Sequence, residues 1–156
     1  MVLIGSDFHP SWQQVSWLDR ETGECGDQRL VHEAGTVQKF YQQFPAGSRI
    51  GMEATGNCQW FMQMLGRLGH ELWVGDAAKI RASDDRQQKH DKRDARLLLK
   101  LLVEERFPRI WVPSAQEKDL RQLLIHRYKL VCIRARVKNG LQHLALNQGL
   151  QRKQRL

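Results

Sequence analysis

Hydrophobic residues in this chain fall into short runs and helical stripes, with polar clusters between them. Val2-Leu3-Ile4-Gly5-Ser6-Asp7 is an apolar run closed by His9-Pro10, the pattern of a buried strand. Gln14-Val15-Ser16-Trp17-Leu18 alternates with period two and predicts a second strand. Glu21-Thr22-Gly23-Glu24 is a turn, and Arg29-Leu30-Val31-His32-Glu33 predicts a third strand, so the three form an antiparallel meander. Thr36 is placed to cap a helix ending near Phe44, before Pro45 and Gly47. Arg49-Ile50-Gly51-Met52-Glu53 predicts a fourth strand. Ala54-Thr55-Gly56-Asn57 then turns into a helix carrying Trp60, Phe61, Met64, Leu65 and Leu68, with Thr55 as its cap and Gly69 as its stop. Glu71-Leu72-Trp73-Val74 predicts a fifth strand.

Residues 75–90 are polar and charged without a period, which in a compact domain marks a functional or mobile segment. From Asp91 the pattern is helical, with Leu97, Leu98, Leu101 and Leu102 on one face. Pro108 and Pro113 bracket an extended link. Ser114-Ala115-Gln116-Glu117 is a capping box and starts a long helix, with Leu120, Leu123, Leu124, Leu130, Val131, Val137, Leu141 and Leu144 among its apolar positions. Arg127 and Arg134 interrupt a heptad seam there, and Gly140 and Gly149 weaken the distal part. A meander followed by alternating helices and strands predicts an α/β fold. Its core is a mixed five-stranded sheet with flanking helices in residues 1–112. A long basic, coiled-coil-like helix follows in 113–156.

Charge sharpens this division. Residues 1–78 carry nine acids and five bases, whereas residues 120–156 carry nine bases and no acid. The net charge of +8 therefore belongs to the C-terminal helix, and it predicts an acidic partner, nucleic acid or an anionic surface. Cys25, Cys58 and Cys132 are too scattered for a disulfide framework or a zinc site; Cys58 and Cys132 are expected to be buried. No signal peptide and no membrane-length apolar run is visible, so a cytoplasmic location and no membrane partner are expected.

The chemistry lies in four acids in the order Asp7, Glu53, Asp91, Asp94. Asp7 and Glu53 each end a predicted strand, and Asp91 and Asp94 are three apart, on one face of a helix. Hard divalent cations such as Mg²⁺ or Mn²⁺ take oxygen ligands from several carboxylates, and two such ions serve phosphoryl chemistry. Each acid alone has a plainer role: a strand-ending Asp forms turns, Asp91 can cap a helix, and Asp94 suits a first helical turn. Asp84 and Asp85 have no such positional logic and read as solvated.

Gly5-Ser6-Asp7, Gly51-Met52-Glu53-Ala54-Thr55-Gly56 and Lys89-His90-Asp91-Lys92-Arg93-Asp94-Ala95 together resemble, in order and separation, the signature blocks of the DEDD transposases of bacterial insertion sequences, the IS-one-ten family. The resemblance implies a ribonuclease-H-like (RuvC-like) fold whose four carboxylates, at Asp7, Glu53, Asp91 and Asp94, are catalytic and bind Mg²⁺ or Mn²⁺. It also implies cutting and rejoining of DNA under a structured guide RNA, helical dimer contacts after Ser114, and a later domain with a nucleophilic serine. The chain as given is expected to be a fragment or truncated copy bearing the metal half of that active site.

Lys89, Lys92, Arg93 and Arg96 flank the acids, where they either contact phosphates or offset crowded negative charge. Arg121, Arg127, Lys129, Arg134, Arg136 and Lys138 of the long helix either bind phosphates or form the solvated face of a dimer. Trp12, Trp17, Trp60, Trp73 and Trp111 read as core rather than as base-stacking surfaces, and His9 as a turn residue within reach of Asp7. Two other readings use the same residues: a RuvC-type structure-specific endonuclease, and a basic nucleic-acid-binding or dimerisation module without chemistry. An ATP-binding actin-like domain shares the strand order, but no Gly-rich phosphate loop supports it.

Overall fold

The computed structural model describes residues 1–83 and 91–150. They form two compact units, Met1–Trp111 and Val112–Leu156. The first unit contains β1 (Val2–Phe8), β2 (Trp12–Asp19), β3 (Cys25–Val31), α1 (Thr36–Tyr41), β4 (Arg49–Glu53), α2 (Gln59–Arg67), β5 (Glu71–Gly75), α3 (Ala77–Ala82) and α4 (Asp91–Val103). Its sheet has the order β3-β2-β1-β4-β5. The meander β1–β2–β3 is antiparallel, and β4 and β5 join parallel to β1. This is the mixed five-stranded, ribonuclease-H-like sheet that the sequence predicts.

Both faces of the sheet are covered, which is why β1 is a continuous apolar run rather than an alternating one. Leu3 and Ile4 point to opposite sides and both are fully buried. On one face Trp17 meets Phe40 of α1 edge-on at 5.5 Å between centroids, and Phe8 meets Phe61 of α2 at 5.3 Å. Ser6 donates a 2.7 Å hydrogen bond to Gln13 Oε1 on this side. Burial here pushes the Tyr41 phenol far above its ordinary range. On the other face Leu98, Leu101 and Leu102 of α4 pack with Leu3, Phe107 and Ile80 of α3.

Gly5 sets how closely α4 lies on β1. A Cβ built there would overlap the Ala95 carbonyl oxygen, 2.5 Å from the Leu99 nitrogen and 3.1 Å from Leu98 Cβ. Only a residue without a side chain admits helix backbone at that distance.

Several local expectations need correction. The third strand begins at Cys25, not Arg29, because Gly26 is a strand residue whose missing Cβ leaves room for the Trp17 ring. Thr36 is the first residue of α1 rather than its cap; left-handed Gly35 holds the cap position without a side-chain bond. α1 stops at Tyr41, short of Phe44. α2 is capped at Cys58, and Thr55 instead offers its carbonyl to Cys58 Sγ at 3.3 Å. The supposedly aperiodic segment holds α3, capped by Asp76, whose carboxylate accepts from the Ala78 and Lys79 amides at 2.9 and 3.2 Å. Gly69 stops α2 as expected, at a φ of 74°.

The tryptophans are less buried than a core reading predicts: Trp60 is 42% and Trp111 71% exposed. Trp73, on edge strand β5, is only partly buried: it packs against the core cluster near Phe107 and also lies under the Arg49 guanidinium at 4.1 Å. Cys58 is buried as expected, whereas Cys132 is only half-buried.

The second unit is one helix, α5 (Ala115–Asn147). Both bonds of its capping box are present: the Glu117 amide donates to Ser114 Oγ at 3.2 Å and the Ser114 amide to Glu117 Oε2 at 2.7 Å. Its 33 residues reach about 50 Å, and the helix runs through Gly140 without a break. Leu120, Leu123, Leu124, Leu130, Val137, Leu141 and Leu144 are all exposed. Among the described residues no helix is long and apolar enough to cross a membrane.

Candidate metal centre

Parallel pairing puts two of the four acids side by side. β1 and β4 pair Gly5 with Gly51 and Ser6 with Met52, so Asp7 and Glu53 follow as the next neighbours, on the face of Gly5 and Gly51. Both lie at the C-terminal ends of their strands, the edge where open α/β sheets bind ligands.

The packing of α4 brings the other two positions to the same edge. Leu3 sits in the cluster of Leu98, Leu101 and Leu102, whereas Gly5, further along β1, meets Ala95 and Leu99. The helix thus runs antiparallel to β1. Two strand residues advance about 6.8 Å and one helical turn about 5.4 Å. Carried one step further, this stepping pairs Asp7 with the preceding helical turn, that of positions 91 and 94, by extrapolation from the contacts at Leu3 and Gly5. Both positions prolong the stripe of Ala95, Leu98 and Leu102. Asp94 is half-buried; the side chain of Asp91 lies outside those described, as do Lys89, Asp84 and Asp85.

Each strand-end acid has a partner. Asp7 Oδ2 accepts from His9 Nε2 at 3.0 Å, and the His9 ring stacks on Trp12 with centroids 3.9 Å apart. His9 therefore bonds Asp7 as well as preceding the turn at Pro10, and its ring stacks on the indole. Arg29 closes this stack, its guanidinium carbon 4.0 Å from the Trp12 ring centre. Glu53 Oε1 accepts from Arg81 of α3 at 2.9 Å. Arg81 is absent from the sequence reading, because α3 itself is. Its signal was Asp76, a good cap residue directly after a strand.

With the acids turned to these partners, no three His, Cys, Asp or Glu among the described residues stand close enough to hold an ion. The donor chemistry fits one nonetheless. The set is all carboxylate oxygen, drawn from two strand ends and one helix start, as a hard cation requires. A second observation agrees. Gln14, the cross-strand partner of Asp7 on the same face, is 3% exposed, and its Nε2 has no partner among the described residues. An unpaired buried amide costs about 1–3 kcal/mol, and proteins rarely retain one without a use.

Of the basic residues near the acids, Lys92 is exposed and Arg93 half-buried. Arg96 reaches across to Asp27 of β3, which also accepts from Ser16 Oγ at 2.5 Å. The bonds from Arg96, then that from Ser16, hold the Asp27 carboxyl below its ordinary range against the opposing effect of burial. A depressed carboxyl stabilises the fold above its unfolded pKa, and this contribution is lost as pH falls through the folded value. Asp27→Asn should therefore flatten the fall in unfolding midpoint between about pH 5 and pH 3, read by thermal melts. An unchanged slope would show that the Arg96 tie adds nothing to stability.

Arg81 supplies a further prediction. The pair with Glu53 is solvent-accessible, so Arg81→Ala should change stability by less than about 1 kcal/mol. The same change frees the Glu53 carboxylate from a competing cation. Mn²⁺ affinity should rise several-fold in calorimetric titration; a fall would mean that Arg81 supports the site instead.

The comparisons with known proteins follow the same residues. No curated protein matches the chain. A family model described as a transposase, that of the DEDD transposases of IS110, matches residues 4–148, from β1 to just past the end of α5. That span holds all four acids and most of the basic helix, and the chain belongs to this DEDD transposase family.

Proposed function

We propose that this chain carries the metal-dependent catalytic centre of its transposase, with Asp7, Glu53, Asp91 and Asp94 as the ligands of Mg²⁺ or Mn²⁺. The observation that carries the reading is the register that sets Asp7 beside Glu53, under a helix whose first turn Gly5 draws onto the same edge. When bound, the cation polarises a phosphodiester and activates the attacking oxygen. The chain's own residues do the rest. His9 steadies the Asp7 carboxylate, and Arg81 balances the charge of Glu53 until a cation displaces it. Lys92 and Arg93, with Lys89, hold phosphates beside the acids, while Arg96 steadies α4 through Asp27.

The basic residues of α5, Arg121, Arg127, Lys129, Arg134, Arg136 and Lys138, bind backbone phosphates of DNA or of a guide RNA. Its exposed leucines support helical pairing with a second copy. The nucleophile of rejoining is the serine that family members carry in a later domain.

DNA phosphates complete the coordination of such an ion, so a DNA duplex should tighten Mn²⁺ binding. Electron paramagnetic resonance of free Mn²⁺ measures this, with Glu53→Gln correcting for ions held by the DNA alone. A wild-type affinity that DNA leaves unchanged would separate the metal centre from nucleic acid and overturn the reading.

A further inference from the structure

We infer that Gln14 is a positioning residue of the metal centre: its side-chain amide Nε2 donates to the Asp7 carboxylate once that carboxylate is turned to a divalent cation. The inference rests on the metal-centre reading given above. Register places the two residues directly opposite each other on β1 and β2, and directly opposite residues share a face. Their Cβ atoms are then about 5 Å apart, within the span of a glutamine side chain. The neighbouring pair confirms which face this is, because Ser16 lies opposite Gly5 and bonds Asp27, the residue that α4 reaches through Arg96.

Position separates Gln14 from its neighbour Gln13. Gln13, on the opposite face and away from the acids, also buries an Nε2 without a partner among the described residues, but its Oε1 is anchored by Ser6 at 2.7 Å. Gln14 makes no side-chain hydrogen bond among the described residues, and its Nε2 is shut off from solvent. A leucine or methionine would fill the same space without burying an amide. The donor end matches the need of the site, since carboxylates accept only. A neutral amide also leaves the full negative charge of Asp7 for the cation, which a lysine would not. A carboxylate offers about four lone-pair sites on its two oxygens, so it accepts from more than one donor besides His9. Carboxylates that ligate metals are themselves hydrogen-bonded, and loss of such a donor typically costs about 10–100-fold in affinity.

The test uses the full chain, with Mn²⁺ as the probe, in wild type, Gln14→Leu and Gln14→Met. Mn²⁺ affinity is read by calorimetry and the unfolding midpoint in EDTA by thermal melt. Both variants should keep or exceed the wild-type midpoint without metal, because they remove an unpaired buried amide. Both should lose about tenfold or more in Mn²⁺ affinity. Unchanged affinity overturns the inference. So does a marked drop in the EDTA midpoint of both variants, which would make Gln14 a structural partner in the metal-free protein. If wild type itself binds no Mn²⁺, the metal-centre reading fails first, and that outcome is distinct from a wild type that binds and variants that bind equally well.

Discussion

Gly5→Ala is expected to destabilise the protein by about 3 kcal/mol, near the upper end for overpacking. The new methyl group would meet the Ala95 carbonyl oxygen and the Leu99 nitrogen, with Leu98 Cβ at 3.1 Å. Two of these three are helix backbone and cannot rotate away, so α4 has to lift from β1. That takes Leu98 and Leu102 away from Leu3 and moves the first turn of the helix away from Asp7. One substitution thus weakens the core and opens the candidate site. Gly56→Ala is the control, since a Cβ there meets nothing within 4 Å. It should shift stability by no more than about 0.5 kcal/mol. Urea unfolding of the two variants measures the difference, and near-equal values would show that α4 does not depend on Gly5.

The second large effect is on stabilisation by metal. A ligand that binds only the folded state stabilises it by about 2.7 kcal/mol at a hundred times its Kd. Wild type should gain that much from saturating Mn²⁺, whereas Asp7→Asn should gain almost nothing. Asparagine keeps the shape of the side chain and can still bond His9, but it loses the charge that holds a hard cation. In EDTA the variant should stay close to wild type, because the bond between residue 7 and His9, a partly exposed contact, survives the change. An equal Mn²⁺ stabilisation of both proteins would place the ion elsewhere.

The sheet was legible because its strands are apolar runs with one reading each. Arg49–Glu53 is predicted to the residue, and the capping box at Ser114 marks the start of α5 from four letters. Two of the acids were legible for a related reason: strand ends are easy to place, and parallel pairing then sets Asp7 beside Glu53. The supporting residues were not. Arg81 lies 28 positions from Glu53, and nothing local to either predicts the pair. Gln14 looks like any polar strand residue until its partner strand and burial are known. α3 has six residues, too few for a periodic signal, so only its Asp76 cap could have revealed it. The start of β3 was not legible, since Gly26 carries no strand signal yet serves the packing of Trp17.

The central claim is that strand-end and helix-start acids from three elements form one divalent-cation site. Calorimetric titration of Mn²⁺ into wild type, Asp7→Asn, Glu53→Gln and Asp94→Asn tests it most directly. We predict one saturable site class in wild type and a loss of about a hundredfold or more in each variant, since every ligand carries charge that the ion needs. Wild-type affinity in any one of the three would remove that residue from the site, and wild-type affinity in all three would contradict the account.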